Sequence, residues 1–144
     1  MNKKYELLVD DTITFLGWKL FRIKALISFG SVEAGELGGY VAKEGNLSHE
    51  GNAWVSGDAW VYGNAEVCGD ARVKSLKDYI VFKNNWSSGR YFTYTKSNKM
   101  WKAGCFYGTG QELINEAYKD NENSGKHYEA YVNFVKILEE LENE

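Results

Sequence analysis

Proline is absent from this 144-residue sequence, and cysteine and histidine occur only twice each. Without proline, the corners of the chain fall to its 15 glycines and to asparagine and aspartate, which tolerate the left-handed region of backbone space. Cys68 and Cys105 make no disulfide framework, and neither stands in a CxxC or CxxH spacing. With only His49 and His127 to complete a ligand set, no zinc site is expected. There is no basic surplus either: 17 basic against 20 acidic side chains give a formal charge of −3, which disfavours a general binder of phosphate backbones. No stretch approaches the roughly eighteen apolar residues that cross a bilayer. Met1 to Tyr5, followed by Glu6, Asp10 and Asp11, lacks the apolar core of a secretory signal, so a cytosolic protein with free thiols is expected.

What is present describes a folded chain. Hydrophobic residues make up 44% and aromatics 15%, beside 26% charged, which is the balance of one domain or of two small lobes sharing an interface. The strongest internal signal is a period of six. Four hexads follow one another from Gly51, Gly57, Gly63 and Gly69, each reading Gly-Asn/Asp-Ala-x-Val-x, and Gly45 and Gly39 extend the frame backwards. Alternation within a hexad points Val55, Val61, Val67 and Val73 inward, with Ala53, Ala59, Ala65 and Ala71 beside them at crowded corners. Trp54, Ser56, Trp60, Tyr62, Glu66, Cys68, Arg72 and Lys74 then fall outward. Trp54, Trp60 and Tyr62 are the expected interface residues, packing under the flanks or against another subunit, with a stacking surface for a flat ligand as the alternative.

The flanks read as caps. Tyr5–Val9 and Trp18–Ile27 are strand-like, with Asp10-Asp11 and Gly17 as turn signals. After the hexads, Asp78–Lys83, Arg90–Lys96 and Lys99–Phe106 read as three strands of a meander. Thr109-Gly-Gln-Glu112 fits a capping box opening a helix with Leu113, Ile114, Ala117 and Tyr118 on one side. A second helix follows Ser124-Gly125, and its acidic last turn opposes the helix dipole, so fraying is expected there.

On the four-fold G-[ND]-A-x-V-x match, the chain resembles the hexapeptide-repeat family, whose members wind into a left-handed parallel β-helix. The expected fold is mainly β with C-terminal helices: an N-terminal β cap (1–38), a short left-handed parallel β-helix of about two coils (39–77), and a C-terminal meander plus two-helix lobe (78–144). The whole arrangement, including Phe21–Ala25, Gly35–Tyr40, Asn46–Ser48 and Gly104–Thr109, is similar to a group of small phage and prophage proteins. That resemblance implies an accessory protein of a mobile element and names no substrate.

Three functional readings follow. A hexapeptide-repeat acyltransferase would need a histidine base, for which His49 is the repeat-region candidate, but no carboxylate or nucleophile is placed by spacing to work with it. A binding protein would use the glycine-rich Gly104–Gly110 segment ahead of the first helix, where free N–H groups attract an anion. The expected ligand set is Arg90, Tyr91, Tyr94, Trp101, Lys102, Tyr107, Gly108, Thr109 and Gly110, with Lys99 nearby, and no cofactor. Aromatic faces with phosphate donors suit a nucleotide, and with the phage resemblance this points to a homo-oligomeric, non-enzymatic protein that sequesters a host nucleotide immune signal or a host defence protein. The third reading is an oligomerising structural module.

Overall fold

The computed structural model describes residues 3–143. Strand β1 (Tyr5–Phe15) pairs antiparallel with β2 (Trp18–Ala25), and β2 with β3 (Leu37–Val41). Asp10 and Asp11 do not turn the chain. They lie in the irregular stretch of β1 where the pairing shifts register between Leu8 and Thr12, and the reversal comes later, at Leu16-Gly17, both at positive φ. Two residues in that conformation between the paired Phe15 and Trp18 make the tight hairpin whose twist matches its strands.

In the hexad region each extended piece is two residues long: β4 (Trp54–Val55), β5 (Trp60–Val61) and β6 (Arg72–Val73). β3 pairs parallel with β5, β4 pairs parallel with β6, and Leu47 bridges Val67 in the same sense. The left-handed parallel β-helix implied by the hexapeptide-repeat resemblance is therefore corrected. The first sheet is mixed, in the order β1-β2-β3-β5, because the long N-terminal hairpin enters antiparallel and takes the edge of the hexad strands. β4 and β6 form a separate two-stranded ladder, and the remaining sheet is antiparallel throughout. The coarser expectation, mainly β with two C-terminal helices, holds.

The inward positions of the hexads form the first core. Their four valines are fully buried and their alanines no more than 5% exposed, joined by Tyr5, Ile23, Val41, Leu47 and Trp54. β3 lies flush on this stack through Gly38 and Gly39, where an added Cβ would stand 2.5 Å from the carbonyl oxygens of Val55 and Ala59. The start of β1 is pinned from inside. Lys4 is 1% exposed, and its Nζ donates to Ala53 O at 2.7 Å and Gly51 O at 3.3 Å, with the Phe29 ring centroid 4.7 Å away. Tyr5 Oη lies 2.6 Å from Leu47 O and 2.9 Å from Glu44 O, both acceptors for its single proton. Burial, then the charge of Arg72, pushes the Lys4 ammonium down to about 8.

The second sheet has four strands where three were expected, in the order β10-β9-β8-β7: β7 (Tyr79–Lys83), β8 (Tyr91–Thr95), β9 (Met100–Ala103) and β10 (Phe106–Thr109). α1 (Gly110–Asp120) and α2 (Glu122–Glu142) pack on one face of it, around Phe92, Trp101, Leu113, Ile114, Val132 and Val135. Asn121 ends one helix and caps the next, its Oδ1 accepting from Ser124 N–H at 2.8 Å. The acidic last turn of α2 is helical to Glu142, and two of its carboxylates, Glu139 and Glu142, are taken up by residues of the sheet and its turn. Glu142 pairs with Lys96, and Glu139 accepts from Lys99 at 2.5 Å and from Tyr94 Oη at 2.7 Å. Burial opposes charge on Glu139, but these two donors win and hold its carboxyl below the usual range.

Candidate functional site

Period-two alternation in the meander decides where the expected ligand residues go. Tyr94 and Trp101 are buried against the helices, their rings 4.8 Å apart. Lys102 and Tyr107 belong to the opposite face. Lys102 Nζ donates to Gly104 O, while Tyr107 Oη sits on Gly69 of the hexads and accepts from Asn98 Nδ2 at 2.9 Å. Tyr91 is exposed beside Tyr62 and Asn64. The expected single set is thus divided between two faces of one sheet.

The glycine-rich segment also differs from expectation. Gly104 and Cys105 form the β9–β10 turn, Gly108 lies inside β10, and Gly110 opens α1 against Val132 and Trp101. Thr109 Oγ1 accepts from Glu112 N–H at 3.2 Å and Glu112 Oε1 accepts from Thr109 N–H at 2.9 Å, so the expected capping box is present. Hydrogen bonds from the Thr109 backbone and side chain hold the Glu112 carboxyl below its ordinary pKa. The chain's own carboxylate already occupies the helix end to which an outside anion was assigned.

The interface residues are covered by their own chain. Trp54 is 1% exposed, set edge-on to Tyr5 at 6.5 Å and to Phe29 at 5.3 Å, so it does not face outward as the hexad frame implied. Trp60 packs on Phe15 at 4.4 Å, and Tyr62 lies between Phe15 and Trp18 at the hairpin tip.

Each histidine is engaged by an aromatic ring and by a backbone group. His49 stacks on Tyr5 at 4.2 Å, its Nδ1 accepts from Lys4 N–H at 3.1 Å, and its Nε2 faces Glu44 Oε1 at 3.4 Å. An acceptor role at Nδ1 leaves the proton on Nε2, which suits a structural strut. His127 stacks on Trp86 at 4.6 Å and its Nδ1 lies 2.8 Å from Asn123 O. Among the described residues no group of three His, Cys, Asp or Glu side chains converges on a metal position.

One expected residue does face open space. Arg90 lines a cleft of about 440 Å³ between the β9–β10 turn, α1 and α2. Its guanidinium lies over Gly104, where an added Cβ would fall 2.3 Å from Nη1, and no hydrogen bond or ion pair among the described residues engages it. Gly104, at φ +59°, is required twice: for the turn and for the room it leaves the guanidinium. Phe106 and Leu113 supply apolar wall, Glu116 and Asp120 the rim, and Tyr128 the inner end. Burial holds the Tyr128 phenol above its ordinary pKa, against the Asn84 hydrogen bond and the Arg90 charge. Sequence reasoning found Arg90 and missed the rest of this wall. The available signal was the spacing of Leu113, Glu116, Ala117 and Asp120, which places all four on one face of α1.

Comparison with protein-family models and with curated proteins finds nothing that matches this chain. No helix among the described residues is long and apolar enough to cross a membrane.

Proposed function

We propose that this chain is a non-enzymatic binding protein that holds a small, flat, anionic molecule of the nucleotide class in the Arg90 cleft. The observation that carries the reading is the exposed guanidinium of Arg90, which lines a concave site and has no side-chain partner among the described residues. A planar guanidinium left open in this way suits bidentate recognition of a phosphate. Glu116 and Asp120 at the rim repel a second anionic group and accept N–H donors, which orients a nucleotide with its phosphate on Arg90 and a base amino group toward α1. Phe106 offers a flat face between the two. The histidine arrangement supports binding over acyl transfer, since His49 spends Nδ1 on the backbone and directs Nε2 to Glu44. In a host cytosol, and with the resemblance to small phage proteins, sequestration of a nucleotide immune signal is the role this reading assigns.

Calorimetry against cyclic and ADP-ribose-derived nucleotides tests it. Heat with at least one of them, lost in Arg90→Leu while the thermal midpoint stays unchanged, is the expected result. Silence across the panel overturns the nucleotide reading and favours capture of a host protein.

A further inference from the structure

Strand β7 ends the second sheet, and its outer edge has no strand beside it. The pairing with β8 says which main-chain groups are left over. Asn84 N–H donates to Arg90 O at 2.8 Å and Lys96 N–H to Asp78 O at 2.9 Å, so residues 78, 80, 82 and 84 turn their groups inward to β8. Tyr79, Val81 and Lys83 turn theirs outward, and no hydrogen bond among the described residues engages those three N–H and three C=O groups. The edge of the first sheet is guarded by comparison: β1 carries Asp10 and Asp11 and a break in its register, devices that keep an edge from pairing. β7 reads Tyr-Ile-Val-Phe-Lys, regular throughout and without proline, glycine or acid.

We propose that the outer edge of β7 takes up one extended segment of a partner protein, apolar at alternate residues and acidic at both ends. An added strand meets all six free groups and sends its side chains alternately to the two sides of the sheet. On the hexad side a cleft of about 480 Å³ lies between the edge and Tyr62, Asn64, Leu76 and Tyr91, with Leu76 43% and Tyr91 41% exposed. On the helix side the half-exposed ring of Phe134 packs on Phe82 at 6.3 Å. Charge fixes the ends of the segment. Lys83 closes the strand, while Lys74 and Lys77 line a hollow of about 420 Å³ that shares Leu76 with the cleft. None of the three lysines has an ion pair among the described residues. A second copy would bring the same lysines to the same edge, so an acidic segment is the better match. This surface is separate from the Arg90 cleft and does not depend on its nucleotide reading.

The probe is the synthetic peptide acetyl-Asp-Val-Thr-Val-Thr-Val-Glu-amide, added to the full-length protein. Amide exchange followed by NMR is expected to show Ile80 and Phe82 protected from the start, and Tyr79, Val81 and Lys83 protected only once the peptide is bound. Val81→Pro removes an outward N–H without touching the β8 ladder, and is expected to abolish binding while the protein stays folded. Lys77→Glu and Lys83→Glu leave the main chain alone and are each expected to weaken binding about fivefold. No binding of the peptide at millimolar concentration overturns the proposal, as does unchanged affinity in either the proline or the lysine variants. A peptide-free protein of twice the single-chain mass, with Tyr79, Val81 and Lys83 already protected, also overturns it, because a second copy then fills the edge.

Discussion

Replacing Lys4 by methionine separates the two things this side chain does. Its Nζ satisfies the carbonyls of Ala53 and Gly51 from within the first core, and it carries a charge where water is excluded. Methionine keeps much of the volume but leaves two acceptors unpaired, at about 1–3 kcal/mol for an unsatisfied buried group, and it removes the charge whose burial opposes folding. The charge gives the effect a pH signature. Lys4 sits near 8 in the folded protein against about 10.4 in an unfolded chain, so between these values the unfolded state binds the extra proton. Stability from this group therefore rises as pH climbs from about 8 to 10, by at most about 3 kcal/mol at 1.36 kcal/mol per pKa unit. The neutral amine still offers two N–H donors, one for each carbonyl. Urea unfolding of parent and Lys4→Met at pH 7, 8.5 and 9.5 should show the difference between them widening with pH. Parallel stability curves over that range would mean that Lys4 titrates alike in both states, and the account of its burial would fall. Above pH 10 the sign reverses for both proteins, because burial first, and neighbouring carboxylates for Tyr5 and Tyr94, hold the phenols of Tyr5, Tyr79 and Tyr94 high, and that contribution is lost as pH rises.

Two other outcomes follow from packing. Gly69→Ala places a Cβ 1.9 Å from Tyr107 Oη at a backbone φ of +64°, so it should lower stability by about 1–3 kcal/mol in denaturant titration, and Tyr107→Phe should recover little of the loss because the backbone conformation stays unfavourable. The two thiols should react unequally. Partial burial raises Cys68 to about 11, whereas Cys105 is exposed, so a thiol reagent at pH 8 should modify Cys105 quickly and Cys68 much more slowly; equal rates would contradict the packing of Cys68.

The hexads were legible wherever the chain's own period decides the outcome. Each valine and alanine assigned inward is buried, and Gly51, Gly57, Gly63 and Gly69 all take φ between 60° and 70°. The fold around them was less so, because six-residue spacing fixes which side chains face in and says nothing of the strand that pairs at the edge. Trp54 and Trp60 hold equivalent frame positions, yet Trp54 disappears beneath Tyr5 and Phe29 while Trp60 stays half-buried, a difference made by segments up to fifty residues away. The candidate ligand set failed as a set for a local reason. Tyr94, Trp101, Lys102 and Tyr107 are neighbours in the meander, but an added strand, β10, put Gly108 inside the sheet, and alternation sent the four side chains to opposite faces. Arg90 precedes β8 and lies outside that alternation.

The two cores draw on separate stretches of chain, the first from Tyr5 to Val73 and the second from Phe92 to Val135. On the ribosome this gives folding a direction. Every fully buried residue of the first core has been synthesised while roughly 60 residues leading to Val135 are still to come, an interval of about 3 to 12 s at ordinary elongation rates. The buried hexad residues thus have a head start over the aromatic sheet, whose Tyr79 and Val81 close on them later from the second half of the chain.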